Sequence, residues 1–154
     1  GIMKICLFFC AGAIIEKTHR EYVYEIKGFG KKMPVVFMSM LVGACALSGI
    51  PLFAGFVSKY SIAIGAVSME NDFSLIVVLC LLLSAVLTAA YTFELSIKGF
   101  ITNKDFDYKL LEGVKDPSWL MKGPLVILCV FMIVFGVVAT PLMDVFTAIA
   151  SNLM

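Results

Sequence analysis

Apolar residues in this chain run in long blocks that alternate on no short period. They extend from Gly1 to Ile15, Met33 to Met69, Phe73 to Phe100 and Gly123 to Ala139, divided by polar stretches at Glu16 to Lys32, Glu70-Asn71-Asp72 and Thr102 to Lys122. Leu75 to Phe93 and Pro124 to Val138 are apolar on every face. That pattern suits lipid-facing helices and not barrel strands, whose side chains alternate in and out. The second block is the informative one. As a single helix, Met33 to Met69 would be a rod of about 55 Å against a hydrocarbon core of about 30 Å, so it must turn or break. The break falls in Gly49-Ile50-Pro51-Leu52-Phe53-Ala54-Gly55-Phe56-Val57-Ser58-Lys59. Pro51 removes a backbone donor and disfavours helical geometry at Ile50, while Gly49 and Gly55 permit unusual dihedrals. The pattern predicts helices over Met33 to Ser48 and Pro51 to Met69 with irregular backbone between them, which lipid tolerates only where protein or water covers it.

These blocks predict an all-α polytopic membrane helix bundle with about five crossings, one of them discontinuous. The first helix, Gly1 to about Ile15, is short for a crossing, and alternation through Tyr22-Val23-Tyr24-Glu25-Ile26 suggests a short extended or hairpin segment. The last helix ends at Pro141, before Leu142-Met143-Asp144-Val145-Phe146 and an apolar tail. With five crossings the two long loops fall on opposite sides and are about equally basic, so loop charge sets no orientation. A re-entrant break near Pro51 gives four crossings instead and places both loops on one side.

Composition agrees with a membrane protein: 61% of the 154 residues are hydrophobic, 15% are charged, and the mean hydropathy is +1.01. A net charge of +1, with no basic patch, excludes a nucleic-acid partner. Cys6, Cys10, Cys45, Cys80 and Cys129 lie in apolar segments without a CxxC pair or a nearby histidine, so they read as small buried residues and not as metal ligands. Gly1 opens inside an apolar helix without a basic start or cleavage site, which reads as the carboxy-terminal part of a longer chain.

Lys59 is the leading functional candidate. An ionisable group inside a membrane is costly and marks ion pathways. A desolvated lysine can give up a proton and regain it from water or an approaching carboxylate. The competing reading is a lysine that snorkels or pairs permanently with a carboxylate. Lys4 is the second candidate. Glu94 and Lys98 stand one turn apart, which suits an ordinary helix pair, with Glu94 as a channel carboxylate the alternative. Ser84, Thr88, Thr92 and Ser96 form a hydroxyl stripe that can pack closely or line water. His19 reads as solvated, Asp144 as interfacial and Trp119 as an interfacial anchor. No glycine loop, metal cluster or nucleophile arrangement is present in the sequence, and Gly28-Phe29-Gly30 reads as a turn.

Met3-Lys4-Ile5-Cys6-Leu7-Phe8-Phe9 with Ala11-Gly12-Ala13-Ile14-Ile15 resembles the lysine-bearing helix of antiporter-like subunits of respiratory complex I, Mrp-type sodium/proton antiporters and membrane-bound hydrogenases. Gly28 through Pro34 resembles the following loop. Ala46-Leu47-Ser48-Gly49-Ile50-Pro51 through Lys59 resembles the family's most specific pattern, and Thr88-Ala89-Ala90-Tyr91 and Pro124-Leu125 resemble its last two helices. The resemblance runs nearly end to end.

It implies two inverted five-helix repeats, each with a discontinuous helix, of which residues 1–154 hold the second repeat and a final helix. It also implies that Lys4 is the central lysine and Lys59 the lysine of the broken helix, passing protons in a path driven by redox chemistry or a sodium gradient elsewhere. The implied partners are other membrane subunits, lipid, and protons or sodium, with no redox cofactor in this chain and a bacterial inner membrane as the location. Leu52 and Tyr60 depart from the family, which often has a second proline and an acidic residue there. The family's histidine would precede Gly1, and its first repeat is absent. Two readings from other classes stand beside this one. A structural subunit would pack through Gly43, Ala46 and the hydroxyl stripe with lysines in static pairs, whereas a quinone- or lipid-handling enzyme subunit would lack a catalytic cluster.

Overall fold

The computed structural model describes residues 1–19, 22, 25–68, 73–101, 113 and 117–139. Among them lie five α-helices, α1 (Ile2–Thr18), α2 (Pro34–Ser48), α3 (Ala54–Val67), α4 (Ser74–Lys98) and α5 (Trp119–Val137), with a 3-10 turn at Phe29–Lys31 and no strand. The all-helical prediction holds. The turn at Glu70-Asn71-Asp72, most of the segment expected around Tyr22, and Pro141 with Asp144 lie outside the described residues.

Local chemistry sets the helix ends. Pro34 stands at the first position of α2, where its missing N–H is no loss. His19, expected to be merely solvated, closes α1 in the left-handed region (φ 53) and donates its N–H to Ile15 O at 2.7 Å. The last helix starts at Trp119, four residues before the predicted Gly123, because Ser118 adopts the extended cap conformation and Pro124 is accommodated inside the helix. Trp119 is 81% exposed, and the Lys122 ammonium lies 5.6 Å from its ring centroid.

The helices pack through small residues. Apolar lipid gives little drive for helix association, so close packing and hydrogen bonds must supply it. α1 runs antiparallel to α2: Leu7 fills the space beside Gly43, and the Cys6 thiol donates to Ser39 O at 3.8 Å. α4 also runs antiparallel to α2. Tyr91, Thr92 and Leu95 face Met40 and Leu47, and Phe37 meets Phe100 edge-on at 5.8 Å between centroids. A Cβ at Gly99 would stand 1.9 Å from the Phe37 ring, so only glycine fits there. α5 runs parallel to α2, with Cys129 donating to Ser39 O at 3.9 Å and Gly136 against the backbone of Leu52 and Phe53.

α3 takes up where α2 stops. Ala54, Val57, Ser58, Ser61 and Ile62 line a cavity with Met132, Phe135 and Ala139 of the α5 end. The first half of α2 meets Val126, Cys129 and Val130 on the same helix. Both α2 and α3 also pack on α4. They therefore succeed one another as two parts of an interrupted rod.

This arrangement bears on which end of the bundle the segments flanking α2 and α4 share. The Gly30 N–H donates to Gly99 O at 2.8 Å, tying the residues before α2 to the end of α4. The start of α2 and the end of α4 thus lie at the same end of the bundle. α4 and α5 are each long and apolar enough to cross a membrane, whereas α2 and α3, at 15 and 14 residues, are about 22 and 21 Å long.

Gly99→Ala should overlap the Phe37 ring and cost about 1–3 kcal/mol as overpacking. Thermal unfolding of the detergent-solubilised protein measures this. Gly12→Ala, inside α1 with open space around its Cβ, should not lower the transition.

Candidate functional site

An α-helix leaves its last four carbonyls without intrahelical donors, and in lipid each needs a partner. At the end of α2 three of the four have a hydrogen-bond donor, and the fourth, Ala46 O, is pressed against α3. Gly49, in the left-handed region at φ +87, and Ile50 both aim their N–H groups at Cys45 O. Ala46 O abuts the backbone of Gly55, so closely that a Cβ there would stand 1.8 Å from it. Leu47 O and Ser48 O accept from the Lys59 ammonium at 3.1 and 3.0 Å. Lysine side chains lean toward the N-terminus of their helix, which is how a residue in the second turn of α3 reaches back across the break.

The three break residues play distinct parts. Gly49 supplies the left-handed turn, and its missing side chain leaves room for the lysine stem, since a Cβ would stand 3.0 Å from Lys59 Cδ. Pro51 sits in the connecting turn. Gly55 keeps a helical backbone, contrary to the expectation that it serves an unusual dihedral. Its role is close approach to α2. The second left-handed residue is Leu52, at φ 83 and 71% exposed, which strains a non-glycine backbone by about 1–3 kcal/mol.

Lys4 lies on the other side of Leu47. It lines an open cavity of about 390 Å³ with Leu7, Phe8, Ala11 and Leu47, closed on the α4 side by Tyr91, Thr92 and Leu95. Leu47 thus joins the two lysines, its carbonyl accepting from Lys59 while the residue also lines the Lys4 cavity. Met3, next to Lys4, also reaches Gly55.

The hydroxyl stripe divides. Ser96 and Thr92 are buried and donate to Thr92 O at 2.9 Å and Thr88 O at 2.6 Å on their own helix, whereas Ser84 is exposed. Thr92 alone of the four reaches the Lys4 cavity. Glu94 is exposed, pairs with Lys98 and does not line that cavity, so it is not brought to either lysine. Among the described residues no cluster of three or more histidine, cysteine or carboxylate groups could hold a metal.

Sequence reasoning singled out both lysines, the break and the hydroxyl stripe, but it sought a carboxylate as the partner of Lys59. The partners observed are main-chain carbonyls of Leu47 and Ser48, which no side-chain pattern signals. Tyr91 appeared only within the resembling Thr88-Ala89-Ala90-Tyr91 stretch.

An apolar helix broken in this way, with a lysine ammonium on the carbonyl end of its first half, resembles the discontinuous helices found in membrane transporters. Residues 1–88 match the family described as NADH:quinone oxidoreductase/Mrp antiporter, TM, and the chain belongs to that family. It is 32% identical over 130 residues to NADH-quinone oxidoreductase subunit L of Rickettsia conorii, covering 84% of this chain and 19% of that protein. It is 32% identical over 143 residues to F(420)H(2) dehydrogenase subunit L of Methanosarcina mazei (88% and 21%). Against NADH-ubiquinone oxidoreductase chain 5 of Dictyostelium citrinum it is 32% identical over 140 residues (88% and 20%). The chain therefore spans about a fifth of the length of these relatives.

Lys59→Met should leave two part-buried acceptors unpaired and lower stability by about 1–3 kcal/mol, and Lys59→Arg should recover most of that by donating to the same carbonyls. Thermal unfolding of the assembled protein reads both. Equal stability of the two variants would show that the cap contributes nothing.

Proposed function

We propose that this chain is the part of an antiporter-like membrane subunit that carries protons past the broken helix, within a complex I-like or Mrp-type assembly. Lys59 is the carrier at the break and Lys4 its neighbour across Leu47. The observation that carries the reading is the lysine ammonium held on helix carbonyls inside an apolar bundle, with no carboxylate neutralising it among the described contacts. Carbonyl dipoles hold a cation in place without fixing its proton as an ion pair would. Glu94, tied to Lys98 near the loop end, takes no carrier step in this scheme. Relatives named for different electron donors, NADH and F(420)H(2), share this segment at the same identity, which supports redox chemistry located elsewhere in the complex.

In the membrane, α2 and α3 form one discontinuous crossing, giving four crossings with α1, α4 and α5. Ten of the twelve basic residues lie between Lys17 and Lys32 or between Lys98 and Lys122, the stretches that leave the bundle at one end. The positive-inside rule then makes that end cytoplasmic, in the cell membrane of a bacterium. Single cysteines replacing Tyr22 and Gly113 should react with an impermeant maleimide from the cytoplasmic side, and one replacing Ser68 from the other. Labelling of Tyr22→Cys and Gly113→Cys from opposite faces would restore five crossings.

The static alternative, in which Lys59 only caps α2, is separated by arginine. Arginine keeps the charge and the carbonyl bonds but does not give up its proton. Proton uptake by inverted vesicles containing the assembled complex should fall about tenfold or more with Lys59→Arg, as expected for a lost proton-transfer group. Unchanged uptake would make Lys59 a structural cap.

A further inference from the structure

Three thiols meet where α1, α2 and α5 join. Cys6 on α1 and Cys129 on α5 donate to the same oxygen, Ser39 O of α2, at 3.8 and 3.9 Å. These two thiols also interact with each other, and Cys10, one turn along α1, interacts with Cys6. α1 and α5 run antiparallel and pack on one another, so the pair faces across a single helix seam. Ser39 stands inside α2, where a helical N–H already serves its carbonyl, so the fold does not depend on either thiol staying there. The pair differs in access. Cys6 and Cys10 are fully buried, whereas Cys129 is half-buried and lines an apolar groove of about 350 Å³ between α2 and α5. Met38, Val126, Val130 and Ile133 along that groove are exposed, so it opens on the outer apolar surface of the bundle. A reagent dissolved in lipid therefore meets Cys129 first, with Cys6 directly behind it.

We propose that Cys129 is an oxidation site for lipid-soluble hydroperoxides and that Cys6 resolves it, giving a reversible Cys6–Cys129 disulfide that ties α1 to α5. The Cys129 sulfur attacks the terminal peroxide oxygen. An S–O bond forms, the O–O bond breaks, and the thiol proton leaves with the departing oxygen as an alcohol. The Cys6 sulfur then attacks the sulfenic sulfur, forming S–S, breaking S–O and releasing its proton with the hydroxyl as water. Two thiols are oxidised and one hydroperoxide is reduced. Every product is neutral, as an apolar groove requires. The same apolarity keeps thiolate scarce, so the reaction is slow, a response to sustained peroxide and not a catalytic cycle. A dithiol reductant restores both thiols by exchange. Cys80, exposed on α4 with no second thiol described beside it, gives the contrast: its oxidation ends in sulfur acids and not in a cross-link. The inference is independent of the proton role of Lys59.

The test uses the assembled complex in native membranes, exposed to cumene hydroperoxide, then denatured with free thiols blocked by N-ethylmaleimide and its peptides read by mass spectrometry. A linked Cys6–Cys129 peptide should appear, and dithiothreitol should remove it. Hydrogen peroxide at equal concentration should give severalfold less, since a polar oxidant enters the groove poorly. With Cys6→Ser, which keeps a donor to Ser39 O, dimedone should trap Cys129 as the sulfenic acid. Cys6→Ala serves as the second variant in case serine disturbs assembly. With Cys129→Ala, Cys6 should remain a thiol. No linked peptide in the wild type, a Cys6–Cys10 link in its place, equal linkage by hydrogen peroxide, or oxidation of Cys6 that survives Cys129→Ala overturns the proposal.

Discussion

The dominant constraint in this molecule is that a helix ends inside an apolar bundle. Carbonyls that would be solvated at the surface of a soluble protein have no water to turn to, and leaving each of them bare costs more than an ordinary fold can spare. The chain answers with a left-handed glycine at Gly49, a glycine at Gly55 that lets α3 approach Ala46 O, and a lysine at 59 that reaches back over the remaining two. Fold and chemistry meet in that answer. The charge an ion carrier needs is also the group that makes the interruption tolerable, so the break and Lys59 require each other.

Everything else serves the position of that interruption. α4 spans both parts of the rod, and its end is clamped by Gly30, Gly99 and Phe37 at the loop side. α5 supports the break from below through Gly136, and α1 delivers Met3 and Lys4 to the same level. Small residues recur at these junctions because helices in lipid gain stability from close approach and not from releasing water. The two lysines meet at Leu47, which accepts from Lys59 at its carbonyl and lines the Lys4 cavity.

Much of this was legible in the sequence, because a block too long for the bilayer must break and because lysine in such a block is conspicuous. The helices over α2 and α4 and the glycine-proline break follow from those facts alone. The partner of Lys59 did not follow, since carbonyls belong to every residue and leave no mark on side-chain pattern. The strained Leu52 was also invisible, because left-handed backbone is ordinarily signalled by glycine and here it falls on leucine. The sides of the loops depend on whether two short helices run on or fold back, and local periodicity is the same in both cases. The start of α5 lies four residues before Gly123, because the charged Lys122 reads as loop whereas the Ser118 carbonyl already accepts from the Met121 and Lys122 N–H groups and the Trp119 ring lies beside the lysine ammonium.

The most direct test of the account is an experimental structure of the intact parent complex at a resolution that shows carbonyl oxygens and the Lys59 side chain. The account requires Lys59 Nζ within hydrogen-bond distance of Leu47 O and Ser48 O across the break. A lysine turned away to a carboxylate from another segment, with those two carbonyls satisfied by water or backbone, would contradict it.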